Sequence, residues 1–429
     1  GDVYKRQIQR YGTCRNYENT EQKTSKTMKQ FLDIVDPIHD FIRVNYAELK
    51  IIDSPIFQRL RRIRQLSGAH LTYPSAQHSR FEHSLGVMHI AGQAANALKE
   101  KGHLKSDQIG EIRLAALLHD VGHGPFSHLF EEILETKKKI SHEEIGKKII
   151  QESEIGDILS KTGYDKKKIV KLAFGYPKYR FVNEIISGSL SADMMDYLQR
   201  DGYFTGAEHA KIDHKRIIQS MDVFKTKLAL EKSALYSFES MILSRYQMFK
   251  AVYFHKTVRA AEVMILESIR LADKYCNFTQ LSLDNYTQLT DEFVISKILS
   301  LSDNSTEQRR AKKFAQDYLN RKLLKCVYEK IMTKKTQNSE QIRTQIAKKS
   351  NINIEEIFVD TSGTSSLPLT PAKEKTKSIT LISAKKTLEM PFSKIPVVSS
   401  MADSMNILRV YTSQSHRKKV EMAAKSIIG

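Results

Sequence analysis

The sequence Leu117-Leu118-His119-Asp120-Val121-Gly122-His123-Gly124-Pro125-Phe126-Ser127-His128 decides how the rest of the chain is interpreted. Upstream of it, apolar residues recur at helical spacing, and this pattern stops at a His-Asp pair before a loop that contains glycine and proline. Nine of the 14 histidines lie between His70 and His142. The stretch is therefore predicted to be a helix end and a loop that carry the chemistry of the protein.

Composition predicts a globular chain without membrane spans. With 429 residues, of which 41% are hydrophobic, the chain can bury a core of one large and one smaller domain. No apolar run approaches the roughly 18 residues of a membrane span, and no signal peptide pattern opens the sequence, so a cytoplasmic location is expected. The three cysteines, Cys14, Cys276 and Cys326, lack CxxC spacing, which argues against disulfides and thiolate zinc sites.

The formal charge of +19 indicates anionic partners. Nucleotides and polyphosphates fit such a field, and weak nucleic-acid binding is compatible with it. Any single run, such as the lysines at 137–139, is more typical of a solvated helix surface. Only the total charge is informative.

The sequence predicts a mainly α fold in two parts. Residues 1–30 are expected to be a disordered tail, and residues 2–7 resemble translated transposon-end DNA rather than a natural start. A strand is predicted from Phe31, and helices dominate from Pro55 to about Ile269, where Asp53 or Ser54 can cap the first helix. Residues 31–320 are thus predicted to form a helical domain.

The character of the sequence changes near residue 321. A flexible loop rich in Ser, Thr, Pro and Lys is predicted at 360–377. Predicted strands and helices surround it: strands at 323–328, 354–359, 378–382 and 406–412, and helices at 339–349 and from 415. Residues 321–429 are therefore predicted to be a small C-terminal α+β subdomain.

Four residues are candidate metal ligands from their types and positions. At a fraying helix end, His119 and Asp120 can both turn toward one ion. His83 lies in Arg-Phe-Glu-His before another helix, and Asp193 supplies a carboxylate in an apolar helical setting, where an unpaired charge would be costly. A lone histidine is more often a hydrogen-bonded structural residue. The combination of these segments favours a site.

These segments resemble a known family. RFEHSLGV (80–87), HDVGHGPFSH (119–128) and DMMDYLQRD (193–201) look like the HD-domain phosphohydrolases, in particular the SAM-and-HD-domain deoxynucleoside triphosphate triphosphohydrolases and their bacterial and archaeal relatives. The resemblance runs from about residue 36 to 273 and resumes at 406–411. It implies an HD-domain helical core and makes His83, His119, Asp120 and Asp193 the metal ligands.

The resemblance also implies a cofactor and catalytic residues. Imidazole and carboxylate ligands suit Mn, Fe, Ni or Zn, and Mg can accompany the phosphates of the substrate. Such a metal would polarise a phosphoryl oxygen and activate water. The implied residues beside the phosphates are Arg80, His123, His128, His142 and Glu131. Of these, His128 is the candidate general acid, and Glu131, which stands where relatives have Asp, is expected to orient His142.

Substrate and effector contacts carry over less completely. The implied substrate-binding residues are Gln65, Leu66, Tyr197, Asp201, Arg245 and Tyr253. An aromatic ring packed at C2′ would exclude a ribose hydroxyl, while Asp201 would bind the 3′-OH. Met194 replaces a phosphate-binding Lys of the relatives, and Phe254 replaces a Gln that contacts the base in some of them.

Nucleotide-binding allosteric sites at subunit contacts are a further implication. Two groups match such sites: Asp53, Gln58 and Arg61, and Arg216, His255 and Lys256. They imply a nucleotide activator and a homo-oligomer, either a dimer or a tetramer. The alternative for residues 58–62 is an ordinary solvated helix face.

The sequence thus predicts a metal-dependent hydrolase that cleaves a deoxynucleoside triphosphate to a deoxynucleoside and inorganic triphosphate. One alternative keeps the metal site but changes the substrate to a nucleoside monophosphate, a cyclic nucleotide or a guanosine polyphosphate, which Met194 favours. The other is a basic nucleic-acid-binding protein with a vestigial site. Against the latter, every expected ligand position is filled.

Overall fold

The computed structural model describes residues 31–332, 338–362, 378–383, 386–395 and 407–429. The predicted N-terminal tail and residues 363–377 of the predicted loop lie outside the described residues, as does Cys14. The other two cysteines, Cys276 and Cys326, are free thiols.

The fold is mainly α, as the sequence predicts. The helices in the described part of the chain are α1 (Tyr46–Ile52), α2 (Pro55–Gln58), α3 (Arg80–Glu100), α4 (Ser106–Leu118), α5 (His128–Lys138), α6 (His142–Glu152), α7 (Glu154–Lys161), α8 (Lys166–Phe174), α9 (Arg180–Ile186), α10 (Ala192–Thr205), α11 (His214–Gln219), α12 (Leu235–Met248), α13 (Lys256–Cys276), α14 (Leu283–Tyr286), α15 (Asp291–Leu299), α16 (Thr306–Leu319), α17 (Ser339–Ser350) and α18 (Arg417–Ile428).

Three helices position the chemistry, and local sequence explains where each begins or ends. Ser79 and Glu82 form a capping box that starts α3, and Ser191 caps the start of α10. The last five residues of α4, 114–118, are apolar and buried, and His119 is the C-cap of this helix. Helix α3 packs against both α4 and α10, so the ends of the three helices meet.

The predicted apolar face of α13 is core. Ala261, Ile265, Ile269 and Ala272 are fully buried, which confirms the interpretation of this stripe as packing rather than a cofactor site. The predicted start of α2 is also confirmed, because Ser54 accepts a hydrogen bond from the Phe57 N–H and Pro55 occupies the first turn.

The described strands form three small sheets. They are β1 (Leu32–Asp36), β2 (Asp40–Val44), β3 (Met221–Phe224), β4 (Lys227–Glu231), β5 (Lys325–Ile331), β6 (Ile357–Ser362), β7 (Ser378–Ser383), β8 (Lys386–Pro391) and β9 (Ile407–Thr412). Strands β1 and β2 form an antiparallel hairpin in which Ile34 pairs with Ile42. The second sheet has the order β3-β4-β7-β8, and the third has the order β5-β9-β6.

Two segments differ from the prediction. Residues 221–231 were expected to be helical but form the β3-β4 hairpin, whose turn includes Lys225 with a φ of 57°. Strand β7 does not belong to the C-terminal unit. It pairs in parallel with β4, and Ile379 and Leu381 join the large core. Burial of these two side chains beside β4 outweighs their proximity in sequence to the C-terminal segments.

The C-terminal elements other than β7 and β8 form a separate layer. Helices α17 and α18 cover the β5-β9-β6 sheet around a separate core that includes Ile346, Ile357, Val410 and Val420. The predicted strand at 354–359 begins only at Ile357, after a short 3-10 turn, and continues through residues 360–362, which were assigned to the loop. The Asp360 carboxylate pairs with the Arg259 guanidinium of α13 at 2.8 Å, which holds this strand against the helical part.

Candidate metal centre and phosphate pocket

The four predicted ligands meet where α3, α4 and α10 converge. His83 and Asp193 lie in first turns, and their Nε2 and Oδ1 atoms are 3.2 Å apart. His119 Nε2 is 3.2 Å from Asp120 Oδ1 and 4.0 Å from Asp193 Oδ1. His83, His119 and Asp120 are buried and offer ligand atoms within 4.8 Å of one another. Asp193 is more exposed and lies outside that compact triad, on its open side.

The donor set fits a divalent cation. The Nδ1 of His119 lies 2.7 Å from the Ala116 carbonyl, which can only accept, so Nδ1 carries the proton and Nε2 presents a lone pair. That Nε2 atom is buried without a hydrogen-bond partner in the described part of the chain. Buried acceptors that face one another are costly unless a cation joins them. The site is therefore chemically suited to a metal ion.

A buried network behind His83 was not assigned a role from sequence. Asp196 Oδ2 accepts from His83 Nδ1 at 2.8 Å, and its other oxygen lies 2.7 Å from His39 Nε2. Arg200 donates to both oxygens of Asp196 at 2.9 Å and to Asp36 at 2.8 Å. This arrangement fixes the ring orientation of His83. The spacing of Asp193 and Asp196, one helical turn apart, was the available signal.

Charge at the centre favours cation binding. Burial disfavours the Asp120 carboxylate, but electrostatic interactions with the neighbouring His119 ring and Arg80 guanidinium hold the pKa of Asp120 well below the usual range. Burial likewise opposes a charged His83, yet hydrogen bonds to Asp193 and Asp196 raise the pKa of His83 to about 10. A metal ion must therefore displace a proton from His83 when it binds.

Beside the ligands, three imidazoles and one carboxylate form the candidate phosphate pocket. The rings of His123 and His142 stack with centroids 3.8 Å apart, and His128 lies edge-on to His123 at 5.1 Å. Glu131 Oε1 is 2.5 Å from His142 Nδ1, and Oε2 is 3.3 Å from His128 Nδ1. The Glu131 carboxylate therefore reaches both histidines.

The members of this pocket differ in charge and exposure. Burial and the nearby Arg80 keep the pKa of His123 well below its ordinary value, so this ring is neutral. Hydrogen bonds from His128 and His142 outweigh burial and lower the pKa of Glu131, which is therefore ionised. The His128 side chain is 75% exposed, so it is the imidazole most open to an incoming ligand.

Arg80 connects the centre to the loop. Its guanidinium donates to the Asp120 carboxylate and, through Nε at 2.7 Å, to Ser127 Oγ. It is 2% exposed. Arg80 is therefore not a solvated surface charge, and its side chain lies between a metal ligand and the loop that carries His128.

Three of the predicted substrate contacts, Tyr197, Asp201 and Tyr253, lie next to one another. Tyr253 donates from its hydroxyl to Asp201 Oδ2 at 2.7 Å, and its ring is 6.4 Å from that of Tyr197 in an edge-on arrangement. Burial raises the pKa of Tyr197 to about 12, so this phenol stays protonated. The second oxygen of Asp201 lies 2.7 Å from His78 Nε2. His78 was not predicted, although it lies in the histidine-rich stretch.

Gln65, Leu66 and Arg245 are the remaining predicted substrate-binding residues, and the side chains of Gln65 and Arg245 are less fully hydrogen-bonded than that of Asp201. Met194 is buried, and its sulfur lies 3.9 Å from Arg245 Nη1. Arg245 Nε and Gln65 Oε1 are buried without hydrogen-bond partners among the described residues. Leu66 packs against the main core. Buried polar atoms without partners are sites where a ligand group could be accommodated.

The predicted effector residues lie on separate elements. Gln58 donates to the Ile52 carbonyl at 2.7 Å and accepts from Arg61 at 2.8 Å, near Asp53 at the end of α1. Arg216 lies on α11, whereas His255 and Lys256 begin α13. Their role in binding an effector stays a prediction.

The fold is mainly helical, and a His-Asp pair at one helix end meets a histidine and an aspartate from two other helices. This combination defines the class of HD-domain metal hydrolases. The HD domain family matches residues 80–201, and the family described as HD associated region matches residues 212–429. The chain belongs to the HD-domain phosphohydrolase family, as the motifs predict.

Similar proteins occur in archaea, bacteria and eukaryotes. An uncharacterized protein of Methanocaldococcus jannaschii is 38% identical over 64% of this chain and 56% of its own length. The uncharacterized protein YwfO of Bacillus subtilis is 33% identical over 72% of this chain and 74% of its own length. The deoxynucleoside triphosphate triphosphohydrolase SAMHD1 homolog of Dictyostelium discoideum is 30% identical over 74% of this chain and 63% of its own. The chain thus spans little more than half of the archaeal relative.

A solved structure shares most of the architecture. A hypothetical protein from Aquifex aeolicus superposes with a TM-score of 0.73 at 30% identity, covering 92% of this chain and all of the other. Among the described residues, the structure has no helix long and apolar enough to cross a membrane.

Proposed function

We propose that this protein hydrolyses deoxynucleoside triphosphates to a deoxynucleoside and inorganic triphosphate. The observation that carries the proposal is the adjacency of three groups of residues: the buried ligand cluster, the imidazoles around Glu131, and Asp201 with its tyrosines. The first suits a cation, the second suits phosphates, and the third suits a sugar. The named activity of the Dictyostelium relative supports the same reaction.

The ligand cluster would hold one divalent transition metal, with Mn²⁺, Fe²⁺, Ni²⁺ and Zn²⁺ as candidates. Such an ion supplies Lewis acidity toward a phosphoryl oxygen and lowers the pKa of water. His83 is held by Asp196 and His119 by the Ala116 carbonyl, so the Nε2 atoms of both imidazoles face one point, and His83 gives up the proton on that atom when the ion binds. The ion would therefore bind without reorientation of these rings.

The imidazoles would handle charge and protons at the phosphates. Neutral His123 can donate a hydrogen bond to a phosphate oxygen without the repulsion that a second cation would create beside Arg80. His128 is open to solvent, and its Nδ1 lies 3.3 Å from a carboxylate oxygen of the ionised Glu131. His128 is thus the proposed general acid that protonates the leaving 5′ oxygen of the sugar, and Glu131 orients both His128 and His142.

Asp201, Tyr197 and Tyr253 would select the sugar. The Asp201 carboxylate, fixed by His78 and Tyr253, keeps lone pairs available for a 3′-OH donor. The half-buried ring of Tyr197 offers an apolar surface against C2′, and the face of this ring has no hydrogen-bond partner for a ribose 2′-OH. A ribonucleotide would then bury an unsatisfied hydroxyl, which costs of the order of 1–3 kcal/mol.

Product analysis tests this proposal. Purified protein is incubated separately with each of the four dNTPs and with Mn²⁺, and the products are separated by ion-exchange chromatography. Inorganic triphosphate together with a deoxynucleoside is the expected result, and Asp120→Ala is expected to abolish both. Release of pyrophosphate or of single phosphates by the wild type would refute the proposed bond cleavage.

A second substrate class is favoured by one observation. The side chain beside Arg245 is the buried thioether of Met194, which carries no charge toward a triphosphate. A nucleoside monophosphate, a cyclic nucleotide or a guanosine polyphosphate is the alternative substrate of the same metal centre. The same chromatographic assay with these phosphoesters distinguishes the classes, because each yields a different product.

Regulation by nucleotides and self-association belong to the same proposal. The residues at 53–61 and those at 216, 255 and 256 would bind an activating nucleotide between protomers of a dimer or tetramer. Light scattering with and without GTP tests this: a nucleotide-dependent rise in mass supports it, and an unchanged mass with unchanged turnover contradicts it.

A further inference from the structure

The loop that presents His128 contains a strained turn. Phe126 has a φ of 55°, and Ser127 has a φ of 54° with a ψ of −116°. Both residues have a positive φ, which residues other than glycine rarely adopt, and Phe126 is also fully buried. Surrounding contacts must therefore hold this backbone in place.

Those contacts come chiefly from one buried carboxylate. Asp291, the first residue of α15, accepts the Phe126 N–H with Oδ1 at 2.7 Å and the Arg64 N–H with Oδ2 at 3.1 Å. The Phe126 carbonyl accepts from Ser67 Oγ at 2.6 Å. One carboxylate thus ties the turn to the segment around Arg64, although it lies 165 positions away from the turn in sequence.

The turn at residues 126–127 also positions two residues of the phosphate pocket, Arg80 and His128. Ser127 Oγ donates to the Arg64 carbonyl at 2.9 Å and accepts from Arg80 Nε at 2.7 Å. His128 follows directly and begins α5. The position of both the guanidinium of Arg80 and the imidazole of His128 therefore depends on the conformation of residues 126 and 127.

The same neighbourhood contacts the rest of the loop. We call residues 286–291 the clamp segment. The Tyr286 hydroxyl donates to the Gly122 carbonyl at 2.9 Å, and the Leu289 carbonyl accepts from Arg59 at 3.3 Å. Arg59, fully buried, also donates to the carbonyls of Val121 and His123 at 3.0 Å. The loop is thus bonded to the clamp segment both directly and through Arg59.

We infer that Asp291 is a positioning residue of the active site, which holds the strained turn at residues 126–127 so that Arg80 and His128 face the phosphates. The HD associated region then supplies part of the catalytic apparatus, through a residue far in sequence from the HD motif. This inference rests on the proposed phosphohydrolase function for its effect on turnover, but its structural part does not.

Asp291 acts through its charged form. Burial raises the pKa of Asp291 to about 6, against the opposing effect of the Phe126 and Arg64 N–H groups. The charged and titratable groups that face it are the guanidinium groups of Arg64 and Arg59, the Glu292 carboxylate and the phenol of Tyr318. At pH 8 the carboxylate is ionised, and both oxygens can accept an amide hydrogen. An asparagine side chain has only one accepting oxygen.

The test compares Asp291→Asn, Asp291→Ala and the control Glu292→Gln at pH 8. Glu292 is adjacent, and its carboxylate lies 3.5 Å from Arg64 Nη1, but it contacts neither the turn nor the pocket. Turnover is measured with dGTP and Mn²⁺, bound Mn²⁺ by elemental analysis, and backbone exchange by hydrogen–deuterium exchange mass spectrometry. Peptides covering 121–130 report on the loop, and peptides covering 192–205 report on the rest of the metal site.

We expect kcat to fall at least tenfold in Asp291→Ala and by a smaller factor in Asp291→Asn. In both variants KM should stay within twofold of wild type and the bound Mn²⁺ should be unchanged. Glu292→Gln should have the kcat and KM of wild type. Exchange in 121–130 should rise at least tenfold in Asp291→Ala, with 192–205 unchanged. Equal exchange in Asp291→Ala and Glu292→Gln would overturn the inference, and so would a uniform rise in all peptides. If the wild type hydrolyses no phosphoester, the proposed function fails while the exchange comparison still decides the role of Asp291.

Discussion

Substitution of Gly122 by alanine should displace the helix that carries His142. A Cβ added at Gly122 would lie 2.0 Å from the His142 carbonyl oxygen, 2.4 Å from the Gly146 nitrogen and 2.8 Å from the Gly146 Cα. These are backbone atoms, which cannot rotate away as a side chain could. Because ordinary contact begins at about 3.4 Å, the loop and the start of α6 must separate by about 1.4 Å.

That separation is large on the scale of the pocket. His142 Nδ1 is 2.5 Å from Glu131, and its ring stacks on His123 at 3.8 Å, so a shift above 1 Å breaks the hydrogen bond and the stacking. Misplacement of about 1 Å can cost on the order of 100-fold in rate, which is about 2.7 kcal/mol in activation free energy. Overpacking should also lower the free energy of unfolding by about 1–3 kcal/mol.

Gly110→Ala provides the matched control on α4. The three atoms nearest to its Cβ would all belong to the Tyr164 side chain, whose hydroxyl, at 2.7 Å, is the end of a side chain that can move. Both variants are assayed for hydrolysis of dGTP with Mn²⁺ and for unfolding in urea. We expect Gly122→Ala to lose about 100-fold in kcat, with the loss in Gly110→Ala below twofold. A folded Gly122→Ala protein with the kcat of wild type would refute the reasoning.

Three further outcomes are expected. Asp196→Asn removes a charged acceptor from His83 and should weaken metal binding about 10–100-fold in a Mn²⁺ titration, and unchanged affinity would contradict the role of the buried network. Met194→Lys should lower the KM for dGTP relative to dGMP, whereas a rise in KM would argue against phosphates at this position. Burial and nearby Arg64 lower the pKa of His70 to about 4, below its value near 6.5 in the unfolded chain. The contribution of neutral His70 to stability is therefore present above pH 6.5 and lost as the pH falls toward 4. His70→Gln should accordingly lose less unfolding free energy than wild type between pH 7 and pH 5 in urea titrations, and equal losses would disprove this.

The helical core and the four candidate metal ligands follow from local sequence, whereas the candidate phosphate and sugar residues were implied by the resemblance to the family. Apolar spacing predicts α4 and α13, Ser54 and Pro55 predict the start of α2, and the His-Asp pair coincides with the end of α4. These features depend on neighbours within a few positions along the chain, so sequence patterns report them directly. The ligand set was predicted because residue types at helix ends limit which side chains can share one ion.

What the sequence did not determine depends on contacts between distant segments. Strand β7 pairs with β4 although local composition grouped it with the C-terminal unit. Asp196 lies 113 positions from His83, and Asp291 lies 165 positions from Phe126. No local pattern distinguishes such carboxylates from ordinary helix residues, because their role comes from the partner that packing brings to them. The sequence by itself thus determined the helices, the His-Asp motif and the types of the metal ligands. Only the tertiary structure decided which buried side chains hold these ligands in position, because the hydrogen bonds between ligands and supporting residues form only after the helices have packed.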